Sequence, residues 1–411
     1  MKNGFPNIRH MRVFIEAARK GSVSAAAEHC HLSQPAATQA IARLESDVGA
    51  PLLFRRRQRF SLTNCGAAFE RRAAAALKHL RDGARAATRA GGKTSPRRPV
   101  PAFDLSVTAA QLRNLIAIAN TGSFTVAARA LGLSQPTVHR TARSLEALSG
   151  VPFFAARPSG VMLTPAADAF VLGAKLAQSE IRQGLEEISR ELGEDKGTFV
   201  LGSLPLARTA IVPQAVHAMV SSTEGVQVRV IDGRYAELLR SLREGDLDCL
   251  IGALRHPAPA DDVEQEFLFR DALAIVAHPG HPLARQRNLE LEDALAYPWI
   301  APPRETPAGQ YLFETLRIHE RKQTPVRVVS SSMATLRGIL SEGNYISVVS
   351  RHQISVDERL GMIATLDIPL AGHFRDIGLT YRKDWRPTET QAQFIAHLHH
   401  FSKLPSLNRS K

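Results

Sequence analysis

The sequence predicts a multidomain protein with two winged helix-turn-helix units, a long linker helix and an α/β domain of two lobes. Three observations support this fold class. A segment near the N-terminus returns at an offset of 101 positions, as from Ser33 to Ser134; a long amphipathic helix follows; and strands alternate with helices after residue 197. The 411 residues, 44% of them hydrophobic, suffice for two or three domains.

The predicted boundaries follow from these patterns. We expect winged helix-turn-helix units at 1–88 and 105–164, a flexible linker at 89–104, a long helix at 165–196 and the α/β domain at 197–405. The linker is predicted from the string AGGKTSPRRPVPA, in which Gly, Ser and Pro are frequent and helical periodicity stops.

The first unit contains a helix-turn-helix pattern. The string SQPAATQAIARL at 33–44 predicts a helix, because Ser33 is a good N-cap and Pro35 falls in the first turn. Its apolar face has helical spacing: Ala37, Ile41 and Leu44. A shorter helix at 24–30 precedes it, so the second helix would lie in a DNA major groove. A helical pair that only packs a core is the alternative.

The same pattern occurs a second time. The string SQPTVHRTARSL at 134–145 places Val138, Ala142 and Leu145 on one apolar face. The dipeptide Gly21-Ser22 likewise returns as Gly122-Ser123, and no gap is needed to align the copies from residue 8 to residue 66. A constant offset without insertions indicates one supersecondary unit used twice.

The net charge of +13 is concentrated near the N-terminus. Residues 1–100 contain 19 Lys and Arg against 6 Asp and Glu, whereas 101–197 contain 9 against 9 and 198–411 contain 24 against 24. This distribution predicts phosphate contact by the first unit, with a general solubility patch as the alternative. Four arginines would lie at the tip of the first wing, along the phosphates: Arg55, Arg56, Arg57 and Arg59.

Residues 165–192 predict one long helix with an apolar stripe. The stripe has spacings of four and three residues: Phe170, Ala174, Ala177, Ile181, Leu185, Ile188 and Leu192. Such a stripe on an otherwise polar helix requires a partner. The helix therefore either pairs two subunits or docks onto the core of its own chain.

The remainder of the chain predicts an α/β domain with a mostly parallel sheet. Seven strands are expected, at 199–202, 226–231, 249–252, 272–277, 298–301, 326–330 and 346–349. Five helices are expected between them, at 207–221, 235–243, 290–296, 309–319 and 333–342.

Each copy resembles the N-terminal winged helix-turn-helix of the LysR family of bacterial transcriptional regulators. The resemblance rests on GS, AA, SQP and LE at matching spacing, then on GAPLLF and SLT in copy one and GVPFF and MLT in copy two. Farther along, GSLPLARTAIVP, LREGDLDCLIGAL, HPGHPLA and SEGNYISVVSR are similar to the effector-binding domain of the family, which has the fold of periplasmic binding proteins. The string LPLAR is most similar to a subgroup that includes galactose-binding-protein regulators and regulators of aromatic-acid catabolism.

The resemblance implies a DNA-binding transcriptional regulator controlled by a small-molecule effector, a sugar or an organic acid. It implies double-stranded DNA as a partner, RNA polymerase as a further one, and a homodimer or homotetramer paired through the long helix. An α/β enzyme, or a solute-binding protein whose helix-turn-helix units serve assembly, is the alternative function.

The resemblance also assigns DNA contacts to both copies. In copy one they are Ser33, Gln34, Pro35, Ala36, Thr38, Gln39 and Arg43, together with the four wing arginines. In copy two they are Ser134, Gln135, Pro136, Thr137, His139 and Arg140.

The duplication departs from the family pattern, which has one such unit. The second wing has lost most of its arginines. We expect copy two to fix placement on DNA and copy one, on its flexible tether, to add affinity. A degenerate copy that only packs is the alternative.

Effector contacts are expected beyond the carboxyl ends of strands, where helix N-termini present free N–H groups. Ser203, Leu204 and Pro205 follow the first strand of the α/β domain, and Ser331, Ser332 and Met333 follow strand 326–330. Two arginines would add charge for a carboxylate or phosphate: Arg208 and Arg255. The alternative is that the serines are only N-caps and the arginines lie on the surface.

Several classes of protein are disfavoured. Three separated cysteines without C-x-x-C indicate neither a zinc site nor a disulfide framework, and are typical of a reducing cytosol. We expect no metal, no cofactor and no catalytic activity, because no G-x-S-x-G, H-E-x-x-H or P-loop occurs. The N-terminus lacks the apolar core of a signal peptide and no apolar run is long enough to span a membrane, so we expect a cytoplasmic protein.

Overall fold

A computed structural model of the chain describes residues 4–56, 59–92, 103–157, 160–321 and 325–403. The chain forms two compact units. The first comprises 1–197 with 244–246, and the second comprises 198–243 with 247–411. Both helix-turn-helix copies and the long helix after them therefore belong to the same unit.

The first unit contains the same series of elements twice. In copy one these are α1 Ile8–Lys20, α2 Val23–His29, α3 Gln34–Val48, β1 Leu53–Arg56, β2 Arg59–Leu62 and α4 Asn64–Ala90. In copy two they are α5 Ala109–Thr121, α6 Phe124–Leu131, α7 Gln135–Ser149, β3 Phe154–Arg157, β4 Gly160–Leu163 and α8 Pro165–Glu191. The predicted winged helix-turn-helix fold is confirmed in both copies.

Equivalent local interactions define both recognition helices, α3 and α7. Ser33 caps α3 by accepting the N–H of Ala36, and Ser134 caps α7 by accepting the N–H of Thr137. Each helix ends at a glycine in the left-handed region, where a side chain would be strained: Gly49 has φ 80° and Gly150 has φ 70°.

The long helices α4 and α8, each of 27 residues, pack against each other along their length. Gly83 meets Gly173, while Phe69 and Arg72 meet Gly184, so the two helices run antiparallel. The apolar stripe of α8 is thereby covered within the chain: Phe170, Ala174, Ala177 and Ile181 are buried. Of the two partners that the stripe allowed, the chain's own α4 occupies the seam here, and pairing of two subunits through α8 stays a prediction.

The two copies share one hydrophobic core, which includes Met11 and Phe69 from copy one and Leu115 and Phe170 from copy two. The end of the predicted flexible linker belongs to this core. Phe103 begins a 3₁₀ turn at Phe103–Leu105 and stacks edge-on to Phe170 at 4.8 Å between ring centroids.

The neighbouring residue, Asp104, is also fixed. Its carbonyl and carboxylate oxygens accept hydrogen bonds from Arg12 at 2.6 and 3.2 Å. Copy one is thus packed onto copy two, which corrects the prediction that it hangs on a tether spanning 89–104; residues 93–102 of that segment lie outside the described residues.

The second unit is an α/β fold around one long sheet. Its elements are β5 Thr198–Ser203, α9 Ile211–Ser222, β6 Gln227–Ile231, α10 Tyr235–Arg243, β7 Cys249–Ala253, β8 Val263–Ala277, α11 Leu291–Leu295, β9 Trp299–Ala301, α12 Pro307–Gln310, β10 Val326–Val329, α13 Met333–Glu342, β11 Ile346–Ser350, α14 Arg351–Arg359, β12 Ala364–Thr365, β13 Phe374–Arg382 and α15 Glu389–Lys403. The strand order is β10-β9-β11-β8-β13-β7-β5-β6, with β12 beside β8.

Two lobes meet along strand β8. Its Val263–Ala272 portion pairs with β13, next to the parallel strands β7, β5 and β6. Its Leu273–Ala277 portion pairs with β11, next to the parallel strands β9 and β10. The two-lobed α/β prediction is confirmed. The prediction of a mostly parallel sheet is corrected to a mixed sheet, because β8 and β13 pair antiparallel with every strand beside them.

Some elements of this unit differ from their predicted bounds. Strand β8 starts nine residues before the predicted 272, and the predicted helix at 309–319 is broken into α12, a π-helical turn and a 3₁₀ turn. Strand β13 and helix α14 were not predicted. Strand β8 was partly missed because its first half alternates charged and apolar residues without flanking turn signals.

Candidate DNA and effector sites

The predicted DNA-contacting side chains lie on the outer faces of α3 and α7. In copy one, those on α3 and its N-cap are all exposed except the half-buried Ala36. In copy two all six are exposed, from Ser134 to Arg140. The buried faces of the same helices contain the predicted apolar residues, with Ala37 and Val138 fully buried. Each recognition helix therefore packs on one side and presents polar groups on the other.

Local contacts differ between the two recognition faces. In copy one the hydroxyl of Thr38, which is exposed, donates to the carbonyl of Gln34 at 3.0 Å. In copy two the larger His139 stands at the equivalent position and packs edge-on against Phe124 at 5.2 Å between centroids. The imidazole is thereby held by an aromatic neighbour while it stays exposed.

The wings are two-stranded hairpins anchored to the end of the first helix of each copy. The N–H of Phe60 donates to the carbonyl of Gly21, and the N–H of Val161 donates to the carbonyl of Gly122. Arg55 and Arg56 lie on β1 and Arg59 on β2, opposite Arg56 in the ladder, while Arg57 lies outside the described residues. The hairpin backbone therefore places three of the four predicted arginines on two paired strands.

One structural role was missed from sequence. The glutamate of each LE pair holds the turn that leads into the wing. A carboxylate oxygen of Glu45 accepts the N–H groups of Leu52 and Leu53 at 2.7 and 3.1 Å. In copy two, Glu146 accepts those of Phe153 and Phe154 at the same two distances. The constant spacing of eight residues between LE and the wing strand was the signal that could have indicated it.

The first group of predicted effector contacts is only partly accessible. Ser203 is fully buried and its hydroxyl donates to the Leu204 carbonyl at 3.3 Å, whereas Leu204 and Pro205 are half-buried. A 3₁₀ turn at Pro205–Ala207 follows, and helix α9 begins only at Ile211. The expectation that Ser203 opens a helix N-terminus is therefore corrected.

The two predicted arginines are both engaged near the ends of β5, β6 and β7. Arg208 donates to the carbonyl of Ser203 at 3.2 Å and lies 3.4 Å from a carboxylate oxygen of Asp232. Burial lowers the pKa of Arg208, and the carboxylate of Asp232 acts in the opposite direction. The guanidinium of Arg255 lies 4.8 Å from the ring centroid of Tyr235, a cation–π distance.

The second predicted group lies where β10 leads into α13. Ser331 is exposed, and Ser332 caps α13 by accepting the N–H of Thr335 at 3.2 Å. The sulfur of Met333 accepts from the side-chain amide of Gln353 at 3.6 Å. Helix α14 contacts both predicted groups. Its Gln353 binds Met333 of the second group, and the helix also contacts the 3₁₀ turn after β5, which contains Pro205 of the first group.

Helix α14 contributes a residue that sequence reasoning missed. The imidazole of His352 is buried, neither ring nitrogen has a hydrogen-bond partner, and its ring lies 4.8 Å from that of Phe269. Burial lowers the pKa of His352, opposed by the neighbouring carboxylate of Asp271, which is itself paired with Arg375 at 2.8 Å. No sequence pattern around His352 distinguishes it from an ordinary surface histidine.

The described part of the chain contains no group of three or more His, Cys, Asp or Glu side chains placed to hold a metal ion. Among the same residues, none of the helices has the length and apolarity needed to cross a membrane.

Comparison with known protein families decides the classification. The model described as a bacterial regulatory helix-turn-helix protein of the lysR family matches twice, at 8–67 and 109–168. The model of the LysR substrate binding domain matches 192–402, half of the chain. The chain belongs to the LysR family. Both sequence copies are thus family helix-turn-helix units, as the resemblance predicted.

Known relatives of the chain are regulators. The HTH-type transcriptional regulator GalR of Pseudomonas putida is 30% identical over 377 residues, which is 92% of each chain. The HTH-type transcriptional regulator PcaQ of Agrobacterium fabrum is 27% identical over 277 residues, 67% of this chain but 89% of PcaQ. About a third of this chain lies outside that match.

A solved structure has the same fold. A cysteine-substituted variant of full-length OxyR from Pseudomonas aeruginosa superposes with a TM-score of 0.51 at 22% identity, covering 72% of this chain and 94% of OxyR. The family assignment establishes a DNA-binding transcriptional regulator with an effector-binding domain, and the relatives that match are regulators and not enzymes.

Proposed function

We propose that both helix-turn-helix units of this LysR-family regulator contact DNA, and that an organic acid bound in the second unit changes that contact. The exposure of polar side chains on both recognition helices supports the proposal most directly. Gln34 and Gln39 on α3 and Gln135 and Arg140 on α7 all face outward. A copy retained only for packing would not need an exposed polar face on its recognition helix.

The charge distribution supports unequal contributions from the two copies. Copy one contains the basic wing and most of the excess positive charge, so it would supply most of the phosphate affinity. Copy two presents Arg140 and His139, whose side chains can donate to base edges. We therefore assign affinity mainly to copy one and base contact to both copies.

The effector assignment follows from charge at the strand ends. Arg208 and Arg255 lie at the carboxyl ends of the parallel strands of the first lobe, and Ser331 and Ser332 lie at the end of β10 in the second lobe. Arginines in such positions favour a carboxylate ligand over a neutral sugar. Helix α14, with His352, contacts elements of both groups and would sense the relative position of the lobes.

Assembly and location are part of the proposal. Because α4 covers the seam of α8, a homodimer or homotetramer of this chain would use other surfaces or exchange α4 between chains. The target is chromosomal DNA, so the protein would act in the cytoplasm, and RNA polymerase is the expected partner at a promoter.

Two measurements test the function. Footprinting with the full chain should protect a defined DNA segment, and an organic-acid library should raise the unfolding temperature by mass action. Arg208→Ala should abolish the thermal shift of the active compound, while Arg285→Ala, at an exposed position of the same unit, should retain it. A specific footprint with no responding acid would contradict the effector class; no footprint at all would contradict the DNA assignment.

A further inference from the structure

The helices α4 and α8 are related by an approximate twofold axis inside one chain. The repeat offset of 101 positions relates Arg72 to Gly173 and Gly83 to Gly184. The contact of Gly83 with Gly173 therefore has a symmetry mate, Arg72 with Gly184, and both contacts occur. The contact of Gly173 with the backbone of His79 has a mate as well, the ion pair of Arg72 with Glu180.

The side chains at this seam break the symmetry. Arg72 is buried and binds Glu180 at 3.1 Å and Glu187 at 2.6 Å. At the corresponding positions of the other copy the residues are Gly173, His79 and Ala86. These three residues cannot form a second set of ion pairs like that of Arg72 with Glu180 and Glu187.

This ion set makes the seam selective for unlike partners. Two α8 helices paired together would bury Glu180 and Glu187 without an arginine, and two α4 helices would bury Arg72 without a carboxylate. Burying an unpaired charge is costly, so the pairing of α4 with α8 is favoured over either like pair.

The recognition faces presented by this unlike pair also differ. Ala36, Thr38 and Gln39 of copy one correspond to Thr137, His139 and Arg140 of copy two. Glutamine pairs best with adenine and arginine with guanine in the major groove, so equivalent positions would select different bases.

From these observations we propose that one chain recognises an operator made of two unlike half-sites, and binds it in one fixed orientation. A homodimer of single units must read a palindrome, because its two recognition helices are identical. Here the twofold arrangement is supplied by one chain while the two faces differ. This inference rests on the proposed function, in that both units must contact DNA.

The test starts from sequence selection. The full chain selects sites from a random duplex pool, and the selected operator is then rebuilt as two symmetric duplexes, each with one half-site repeated as an inverted pair. The wild-type chain should bind the original operator at least about fivefold more tightly than either symmetric duplex, since each mismatched base pair costs at least that factor. Selection of a palindrome would overturn the inference.

A matched pair of variants strengthens the test. The triple variant A36T/T38H/Q39R gives copy one the recognition residues of copy two, and T137A/H139T/R140Q does the reverse; all six positions are exposed except the half-buried Ala36. Each variant should shift its preference from the original operator to one symmetric duplex, and to opposite ones. Ratios between duplexes cancel the general effect of an added or removed charge.

The outcomes separate the two proposals. If neither variant changes the ratio of affinities for the original operator and the symmetric duplexes, unlike recognition by the two copies is wrong although DNA binding stands. If only the copy-one or only the copy-two variant changes it, a single copy reads bases, which also overturns the inference. Absence of any selected sequence would instead contradict the DNA assignment beneath it.

Discussion

Gly83 and Gly173 face each other where α4 crosses α8. A Cβ built on Gly83 would lie 3.1 Å from the Cα of Gly173, and one built on Gly173 would lie 3.0 Å from the Cα of Gly83. Backbone atoms are in contact on both sides, so a Cβ on Gly173 would require a backbone shift and one on Gly83 would be tightly packed. The two glycines allow the helices of the two copies to approach closely enough to bury their apolar stripes.

Gly173→Ala should therefore loosen the α4–α8 pair. The new methyl group would lie 2.6 Å from the carbonyl oxygen of His79, and backbone cannot move away without shifting the helix. We expect destabilisation of about 1–3 kcal/mol from overpacking, measured as lost hydrogen-exchange protection in both helices.

The control for that variant is Gly338→Ala. Gly338 also lies within a helix, α13, but a Cβ there has open space. Alanine should increase protection of α13 by about 0.5–1 kcal/mol, the usual gain over glycine in a helix interior. Equal effects of the two substitutions would show that the α4–α8 crossing is not tightly packed.

Arg72→Met should destabilise the first unit by about 3–5 kcal/mol, because Glu180 and Glu187 would be left in the seam without their buried arginine. Arg85→Met, at an exposed position of α4, should change stability by less than about 0.5 kcal/mol. Adding E180Q and E187Q to Arg72→Met should recover much of the loss. Chemical unfolding followed by far-UV circular dichroism measures all three, and a failure to recover would assign the loss to packing instead.

The wing of copy one should dominate the salt dependence of DNA binding. Changing Arg55, Arg56, Arg57 and Arg59 to alanine should flatten the slope of log K against log salt by up to about 0.9 per lost phosphate contact. Arg157→Ala in the wing of copy two removes one charge at an equivalent hairpin and should alter the slope by no more than one contact. An unchanged slope in the fourfold variant would show that the first wing makes no phosphate contacts.

Acidification should destabilise the second unit through His352. Burial lowers the pKa of His352, so as the pH falls through about 6.5 the unfolded chain binds a proton that the folded chain binds only at lower pH. The free energy of unfolding therefore falls as the pH decreases through about 6.5, by at most about 1.4 kcal/mol per pH unit from this group.

Fluorescence-detected urea unfolding measures this slope, since Trp299 and Trp385 both lie in the second unit. His352→Gln should make the pH dependence shallower, whereas His400→Gln, at an exposed position of α15, should keep the wild-type slope. A wild-type slope in the His352 variant would mean that other groups account for the acid sensitivity.

The sequence by itself determined the local structure and the family. The caps at Ser33 and Ser134, the apolar spacing of α3, α7 and α8, and the constant repeat offset depend on neighbours within about a turn or two, so they could be recognised without a fold. The outward polar faces of both recognition helices followed from the same periodicity. Strand and helix alternation likewise indicated the α/β domain, but it did not predict the full length of strand β8 or the break in the helix near residue 311.

Only the tertiary structure decided which surfaces cover one another. An apolar stripe such as that of α8 indicates that a partner exists, and either a second subunit or the chain itself would satisfy it. In the structure of one chain, α4 covers the stripe, with Gly83 against Gly173. Burial likewise places the Ser203 hydroxyl away from solvent and leaves both ring nitrogens of the buried His352 without a hydrogen-bond partner. These outcomes depend on residues about 80 or more positions apart meeting in space, because packing and desolvation act between distant segments and leave no periodic trace in the sequence.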